Sequence, residues 1–247
     1  MIPKKIHYCW FGHGKKSKLA QKCIRSWKKY CPDYEIIEWN EETYDISSAP
    51  LFVRQALEAK KWAFATDYIR YQVVYEHGGI YFDTDVEVLK SIDKFRSDKG
   101  FFGFQYNDVV ASGLGFGAEK GLPILKDLMR NYEENLFILP DGEMDTRSCQ
   151  RRDASVFESF GLVTDGSEQM LEGGIHLYPR EYLGPRSNCD GKLRITENTY
   201  SIHWYEGSWR PKRERLCIKT KRVLTRILGK ERASRLKRAL MKKRQEK

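Results

Sequence analysis

No stretch of this 247-residue chain approaches 18 consecutive apolar residues, so nothing in it reads as a membrane-spanning helix. The opening MIPKKIHYCW lacks the charged-then-apolar layout of a signal peptide, which sets the expectation of a cytoplasmic protein. Six cysteines (Cys9, Cys23, Cys31, Cys149, Cys189, Cys217) form no C-x-x-C pair. That excludes a zinc knuckle and a dithiol redox motif, and reduced thiols are expected. There is no internal repeat. Gly113, Gly115, Gly117 and Gly121 lack the G-x-G-x-x-G spacing after a clean strand, so they mark an irregular region and not a dinucleotide fingerprint.

What is present is a chain able to bury a core. Hydrophobic residues make up 40% and aromatics 13%, which rules out global disorder and fits one α/β domain with an appendage. The charge is divided unevenly. From Arg210 to Lys247, 17 Lys and Arg face three acidic residues, a net of +14, so the first 209 residues carry −4 of the total +10. The expected division is a catalytic body over 1–209 and a basic tail over 210–247.

Along the body the hydrophobic period alternates between strand and helix. Ile6, Tyr8 and Trp10 alternate with His7, Cys9 and Phe11, a strand covered on both faces. Ser17 caps a helix with Leu19, Cys23 and Trp27 at helical spacing. YEIIEW reads as a second strand and LFVRQALEAK as a helix, an order that argues for an open, mostly parallel sheet. In WAFATDYIRYQVVYEHGG, Trp62, Ala65, Ile69 and Val73 share a helical face, and Gly78-Gly79 ends the helix. Asp67 and Arg70 project from one side of it. In IYFDTDVEV a single strand is expected, with Ile80, Phe82, Thr84, Val86 and Val88 on one face and Tyr81, Asp83, Asp85 and Glu87 on the other. Later, GFFGFQY and GIHLYP read as strands, PILKDLMRNYEENL as a helix, and YSIHWYEGSW as a strand running into a loop.

Two neighbouring carboxylates on a core strand demand a partner. Left unpaired in an apolar interior they would cost several kcal/mol each, which is on the order of a domain's whole stability. Ionised oxygens are hard ligands that suit Mg²⁺ or Mn²⁺, ions that complete their shells with water and substrate phosphates. Two enzyme classes write such a pattern. The haloacid-dehalogenase phosphatases carry D-x-D-x-[TV], which DTDV matches, but that motif closes the first strand of its fold and is followed by an acidic metal pair. Here the pattern begins at Asp83, about 80 residues in, and no convincing downstream acidic metal pair follows it.

The second class fits more of the chain. ATDYIRYQVVYEHGGIYFDTDV, from Ala65 to Val86, resembles the central signature of glycosyltransferase family 32, the D-x-D sugar-binding-region family, itself similar to the glucosyltransferase domains of large clostridial toxins. IPKKIHYCWFG near the start and SIHWYEGSW ending at Trp209 extend the resemblance. It implies a GT-A fold, a mixed and mostly parallel central sheet flanked by helices. It implies a retaining, metal-dependent transferase using a nucleotide-sugar donor, a UDP-sugar, with Mn²⁺ or Mg²⁺. The expected acceptor is a cell-surface polysaccharide or lipid-linked oligosaccharide.

The resemblance also assigns roles. Trp10 matches the aromatic that stacks on the nucleotide base; its wide apolar face suits that task. Thr66, Asp67 and Arg70 match residues that contact ribose, sugar hydroxyls and diphosphate, and hydroxyl-accepting Asp67 and the planar guanidinium of Arg70 fit those duties. Asp83 matches a residue on donor hydroxyls that also reaches the metal, Asp85 the direct metal ligand, and Tyr81, on their expected face, is expected to touch the donor sugar or phosphate. His203, Ser208 and Trp209 match a closing element that supplies a further metal ligand and a bond to the leaving phosphate, with Glu206 competing with His203 for the metal. Asp67, Arg70 and Asp85 are the expected catalytic residues, and front-face attack is the simpler retaining mechanism. His7 and His77 read as structural, His13 as a loop residue and His176 as a satisfied core residue.

The tail presents Val223, Leu224, Ile227, Leu228, Leu236 and Leu240 at helical intervals among Lys and Arg, with Gly229 separating two basic amphipathic helices. Such helices dock on anionic leaflets, each basic residue adding roughly 1 kcal/mol. The expected location is the inner face of the plasma membrane, peripherally bound. A Mg²⁺-dependent phosphohydrolase and a non-catalytic nucleic-acid binder are the alternatives. The latter lacks sheet aromatics for RNA and leaves the paired aspartates unexplained, so nucleic acid is not the expected partner.

Overall fold

A computed structural model describes residues 1–106, 109–187, 190–207, 210, 212–229 and 232. The elements run β1 (Lys5–Cys9), α1 (Lys18–Tyr30), β2 (Glu35–Trp39), α2 (Leu51–Glu58), α3 (Trp62–His77), β3 (Gly79–Tyr81) and β4 (Val86–Val88). They continue with β5 (Gly100–Tyr106), β6 (Val109–Val110), β7 (Phe116–Ala118), α4 (Pro123–Glu133), α5 (Cys149–Ser159), β8 (Gln169–Leu171), β9 (Ile175–Tyr178), α6 (Arg180–Leu183), β10 (Ser201–His203) and α7 (Lys212–Leu228).

The main sheet has the order β2-β1-β3-β7-β5-β9-β8, with β6 paired to β5. β1 pairs in parallel with β2 and β3, and β5 with β9, while β7 and β8 run against their neighbours. Along that path five of the seven strands therefore share one direction, the mixed and mostly parallel sheet that the resemblance implies.

Strand alternation sends neighbouring residues into two cores. Ile6, Ile80 and Phe101 join Trp27 and Phe95 on one side of the sheet, while Tyr81 and Phe102 join Phe52, Ile69, Phe116 and Leu128 on the other. α1 begins as expected, the Ser17 hydroxyl accepting the Ala20 N–H at 3.1 Å. Its Trp27 is fully buried and donates its indole N–H to the Val86 carbonyl at 2.8 Å, while Ser26 accepts the Val88 N–H at 2.9 Å. Both bonds tie α1 to β4. Cys9, Cys23, Cys31 and Cys149 are buried free thiols, Cys217 is exposed, and Cys189 lies outside the described residues. Burial pushes Cys9 and Cys23 up to about 12, which makes them inert at neutral pH.

α3 is enclosed on more sides than an amphipathic stripe implies. Besides Ala65, Ile69 and Val73 it buries Phe64, Tyr68, Arg70, Tyr71 and Val74. It ends at Gly78, where φ is +63°, followed by Gly79 at +120°. A side chain at Gly79 would meet the Lys5 carbonyl oxygen at 2.9 Å, so only glycine permits this close entry into β3 beside β1.

One expectation is overturned. The single strand from Ile80 to Val88 is two, β3 and β4, separated by a turn over 82–85 in which the Val86 N–H bonds the Asp83 carbonyl at 2.9 Å. The chain leaves the main sheet there, and β4 pairs antiparallel with β10 in a separate two-stranded sheet. Tyr81, Asp83, Asp85 and Glu87 therefore do not line one strand face. The turn takes both carboxylates out of the main sheet, but Asp85 stays largely buried and relies on partners from β10 and the segment after it.

In the tail, α7 ends before Gly229, whose φ of +77° accommodates the helix C-terminus. Leu236 and Leu240 lie outside the described residues. No helix among the described residues is long and apolar enough to cross a membrane.

Candidate active site

The site grows from α3. Three-residue spacing puts Asp67 and Arg70 on one face, and Arg70 Nη2 meets Asp67 Oδ1 at 2.7 Å and Asp83 Oδ1 at 3.4 Å. The rest of the guanidinium is also engaged: Nε donates to the Thr66 carbonyl at 3.1 Å and Nη1 to the Ser112 hydroxyl at 3.2 Å, while Cζ lies 5.2 Å from the Tyr81 ring centroid. Burial works against the Arg70 charge, but Asp83 and Asp67 more than offset it and its pKa stays raised. Burial also pushes Asp67 up to about 6, against the pull of Arg70.

The second half comes from the turn and from β10. Antiparallel register sets His203 opposite Val86, next to Asp85. His203 Nε2 lies 2.9 Å from Asp85 Oδ1, the Glu206 N–H donates to Asp85 Oδ2 at 2.7 Å, and the Trp204 N–H donates to the Asp85 carbonyl at 2.9 Å. Asp85 and His203 are both mostly enclosed. Burial pushes the Asp85 carboxyl up, but His203 and the Glu206 amide outweigh it, leaving the group below the ordinary range. Burial pulls the His203 imidazole down, and the Asp85 charge and bond reverse that to a net rise.

One ligand atom from each of Asp83, Asp85 and His203 falls within 4.8 Å of the others. Buried His203 Nδ1 has no hydrogen-bond partner. Two carboxylates and an imidazole form a donor set that suits Mn²⁺ and accepts Mg²⁺. These residues fit a divalent ion. The Glu206 carboxylate is turned elsewhere, accepting from Ser17 at 3.3 Å and facing Arg215 at 3.7 Å.

Sequence reading missed a supporting layer. Gly113 is required for space: a Cβ there would stand 2.6 Å from Asp83 Oδ2 and 3.6 Å from Arg70 Nη1. Gly113→Ala is expected to displace the Asp83 carboxylate and weaken Mn²⁺ binding by about 10–100-fold, the range for disturbing a ligand's support. Manganese titration by electron paramagnetic resonance checks this, and wild-type affinity would refute it.

Behind Arg70, the Ser112 and Tyr71 hydroxyls lie 2.8 Å apart, and Tyr71 donates to Asp153 Oδ2 at 2.6 Å. Asp153, on α5, is 2% exposed and its Oδ1 is unpartnered. Burial is the main force pushing its carboxyl up to about 8, although the Tyr71 bond opposes it. An unfolded aspartate titrates near about 3.9, so the folded chain retains a proton that the unfolded chain releases. That stabilisation is complete below about pH 4 and is lost as the pH rises to about 8. Asp153→Asn is expected to flatten the decline in stability across this window by up to about 1.4 kcal/mol per pH unit. Urea midpoints measured from pH 4 to 8 read the slope, and an unaltered slope refutes the assignment.

The remaining expected residues separate. The Thr66 hydroxyl bonds the Ala63 carbonyl at 3.0 Å within its own helix. Tyr81 is 2% exposed and packs its ring against Arg70, so it supports the guanidinium. Half-buried Trp10 follows β1, its indole N–H bound to the Gly14 carbonyl at 2.6 Å. Ser208 and Trp209 lie outside the described residues. Glu87 is held by Lys22 at 2.6 Å and by the Trp204 indole at 2.9 Å. His7 is structural, bridging the Gly78 carbonyl at 2.9 Å and the Trp39 indole at 3.1 Å. His176 lies between Asp98 and Glu168 at 3.4 and 2.8 Å.

Residues 17–102 match a family described as glycosyltransferase sugar-binding region containing DXD motif. That span contains Asp67, Arg70, Asp83 and Asp85, but not Trp10, His203, Ser208 or Trp209. Inositol phosphoceramide mannosyltransferase 3 of Schizosaccharomyces pombe (strain 972 / ATCC 24843) is 27% identical over 143 residues, 55% of this chain. The aligned part spans 38% of that relative's length. The solved PaToxG glycosyltransferase aligns over 64% of this chain and 69% of its own, with 18% identity and a TM-score of 0.47. A glycosyltransferase involved in the glycosylation of the major capsid of PBCV-1 aligns over 87% and 98%, with 14% identity and a TM-score of 0.44.

Proposed function

We propose, from the premise that this chain is a glycosyltransferase with a DXD-containing sugar-binding region, that it uses a divalent ion to move a sugar from a UDP-sugar. The acceptor in this reading is a cell-surface polysaccharide or a lipid-linked oligosaccharide, and the anomeric configuration is retained. The observation that carries it is the convergence of Asp83, Asp85 and His203 ligand atoms within 4.8 Å of one another, with Arg70 against Asp83 at 3.4 Å. The relative's name adds mannose to the donor sugars, and inositol phosphoceramide to the acceptors, that merit testing.

In this reading Asp83, Asp85 and His203 hold Mn²⁺ or Mg²⁺, which when bound neutralises charge on the donor diphosphate. Arg70, fixed on four sides, presents a pre-oriented cation where negative charge grows as the anomeric C–O bond breaks, and such stabilisation is greatest in the transition state. Asp67 accepts hydroxyl bonds from the donor and keeps Arg70 in place. Trp10 stacks on the base and Thr66 lines the donor side, while the resemblance gives Ser208 and Trp209, outside the described residues, a bond to the leaving phosphate. Front-face attack by the acceptor hydroxyl needs no protein nucleophile.

The protein in this reading works at the cytoplasmic face of the plasma membrane. Supporting it, α7 exposes Leu216, Val223 and Ile227 at 65%, 53% and 72% along one stripe among basic residues, a layout suited to an anionic leaflet.

Incubation with a panel of sugar nucleotides and Mn²⁺, followed by assay of nucleoside diphosphate, tests the proposal. Ion-dependent diphosphate release supports it. Phosphate release from simple monoesters without sugar-nucleotide turnover would instead favour a phosphohydrolase.

A further inference from the structure

One residue beyond His203, the Trp204 carbonyl accepts from Arg186 Nη1, and the Arg186 guanidinium lies 5.3 Å from the Trp204 ring centroid. Two more arginines reach this place from α7. A Cβ placed on Gly191 would stand 3.4 Å from Arg226 Nη2, 3.7 Å from Arg222 Cδ and 3.8 Å from Arg186 Nη2. Three side chains from two segments thus converge on one glycine.

The acceptors of Arg186 and Arg226 are backbone carbonyls, those of Trp204 and of Asp190 at 3.3 Å, and among the described residues neither arginine is ion-paired with a carboxylate. The cluster repels itself: partial burial and then the charges of Arg222 and Arg226 hold the Arg186 pKa below the usual value for arginine. Like charges drawn towards one place favour a bound anion, and Arg186 and Arg226 bring their Nη2 atoms to it. Guanidinium forks match the oxygen geometry of phosphate.

We propose that Arg186, Arg222 and Arg226 form a binding site for the phosphate group of the acceptor, separate from the site that holds the donor pyrophosphate. Its place beside Trp204 sets the bound phosphate next to the strand that carries His203. The exposed apolar stripe of α7 favours a phosphate borne by a lipid over one free in solution. The acceptor role rests on the transferase reading; phosphate binding does not.

Full-length protein is titrated with glycerol phosphate at low salt, and separately with phosphatidylcholine vesicles carrying phosphatidic acid. The R222Q/R226Q pair is compared with K219Q/K221Q, which removes the same charge elsewhere on α7, and melting curves establish that both remain folded. R222Q/R226Q is expected to weaken phosphate binding roughly tenfold or more, as loss of charge-assisted bonds implies, with K219Q/K221Q near wild type. Dependence on the arginine pair in vesicles as well identifies the lipid source; dependence with glycerol phosphate alone identifies a soluble one, and either supports the site. Equal loss in the two pairs would reduce the cluster to general charge and overturn it. A matching loss of Mn²⁺-dependent UDP binding in R222Q/R226Q would overturn it too, by placing the donor there. If the wild type binds UDP with Mn²⁺ but no phosphate probe, the site fails while the transferase reading stands.

Discussion

Asp85→Asn is expected to lower sugar transfer by on the order of 10³-fold, the scale of removing a principal source of transition-state charge stabilisation. The substitution preserves size, and the amide oxygen can still accept the Glu206 N–H that Asp85 takes at 2.7 Å, so the turn should survive. What is lost is the charge. The raised His203 pKa depends on Asp85, so the imidazole should become easier to deprotonate while the ligand set loses its most enclosed anion. Nucleoside diphosphate release at saturating Mn²⁺ measures the rate, and manganese titration measures the affinity. Near-wild-type turnover with intact metal binding would remove Asp85 from the chemistry.

Arg70→Ala is expected to strike both activity and stability. It leaves Asp67, which faces Arg70 at 2.7 Å, with an uncompensated buried charge, a change that costs about 3–5 kcal/mol. A chain of this size should then melt roughly 6–20 °C lower. The loss is softened where Asp67 can take up a proton, so destabilisation should be smallest in acid and grow as the pH rises past about 6. Arg70→Lys separates the two effects. A lysine keeps the charge near Asp67 but cannot also reach Thr66, Ser112 and Asp83 as the guanidinium does, so stability should recover further than turnover. Equal recovery of both would mean that Arg70 acts as a point charge alone.

Much of this arrangement was legible in residue order because local chemistry carries it. The Asp67–Arg70 pair follows from helical spacing, and the Gly78-Gly79 exit follows from backbone that only glycine adopts freely. His203 was named from a motif and lies beside Asp85 through strand register. The break between β3 and β4 was hidden, since Ile80, Phe82, Val86 and Val88 satisfy an alternating pattern whether or not the ladder continues between them. Ser112, Tyr71 and Asp153 were equally hidden. They form one buried chain across 82 residues of sequence, and nothing in a single sequence pairs a hydroxyl with a carboxyl so far away. The glycines from Gly113 onward drew notice only as irregularity, although the space left at Gly113 is what admits the Asp83 carboxylate.

His203 rides on a ribbon that three residue pairs join to β4, outside the main sheet. Loss of those three pairs would draw His203 away from Asp83 and Asp85 and would uncover buried Ile202 and the core face of Val86 and Val88. On the proposed reading, occupancy of the candidate ion site and protection of the Ser201–His203 amides from hydrogen exchange should rise and fall together. If the proposed ion is bound there, whatever frees β10 from β4 would also weaken its hold.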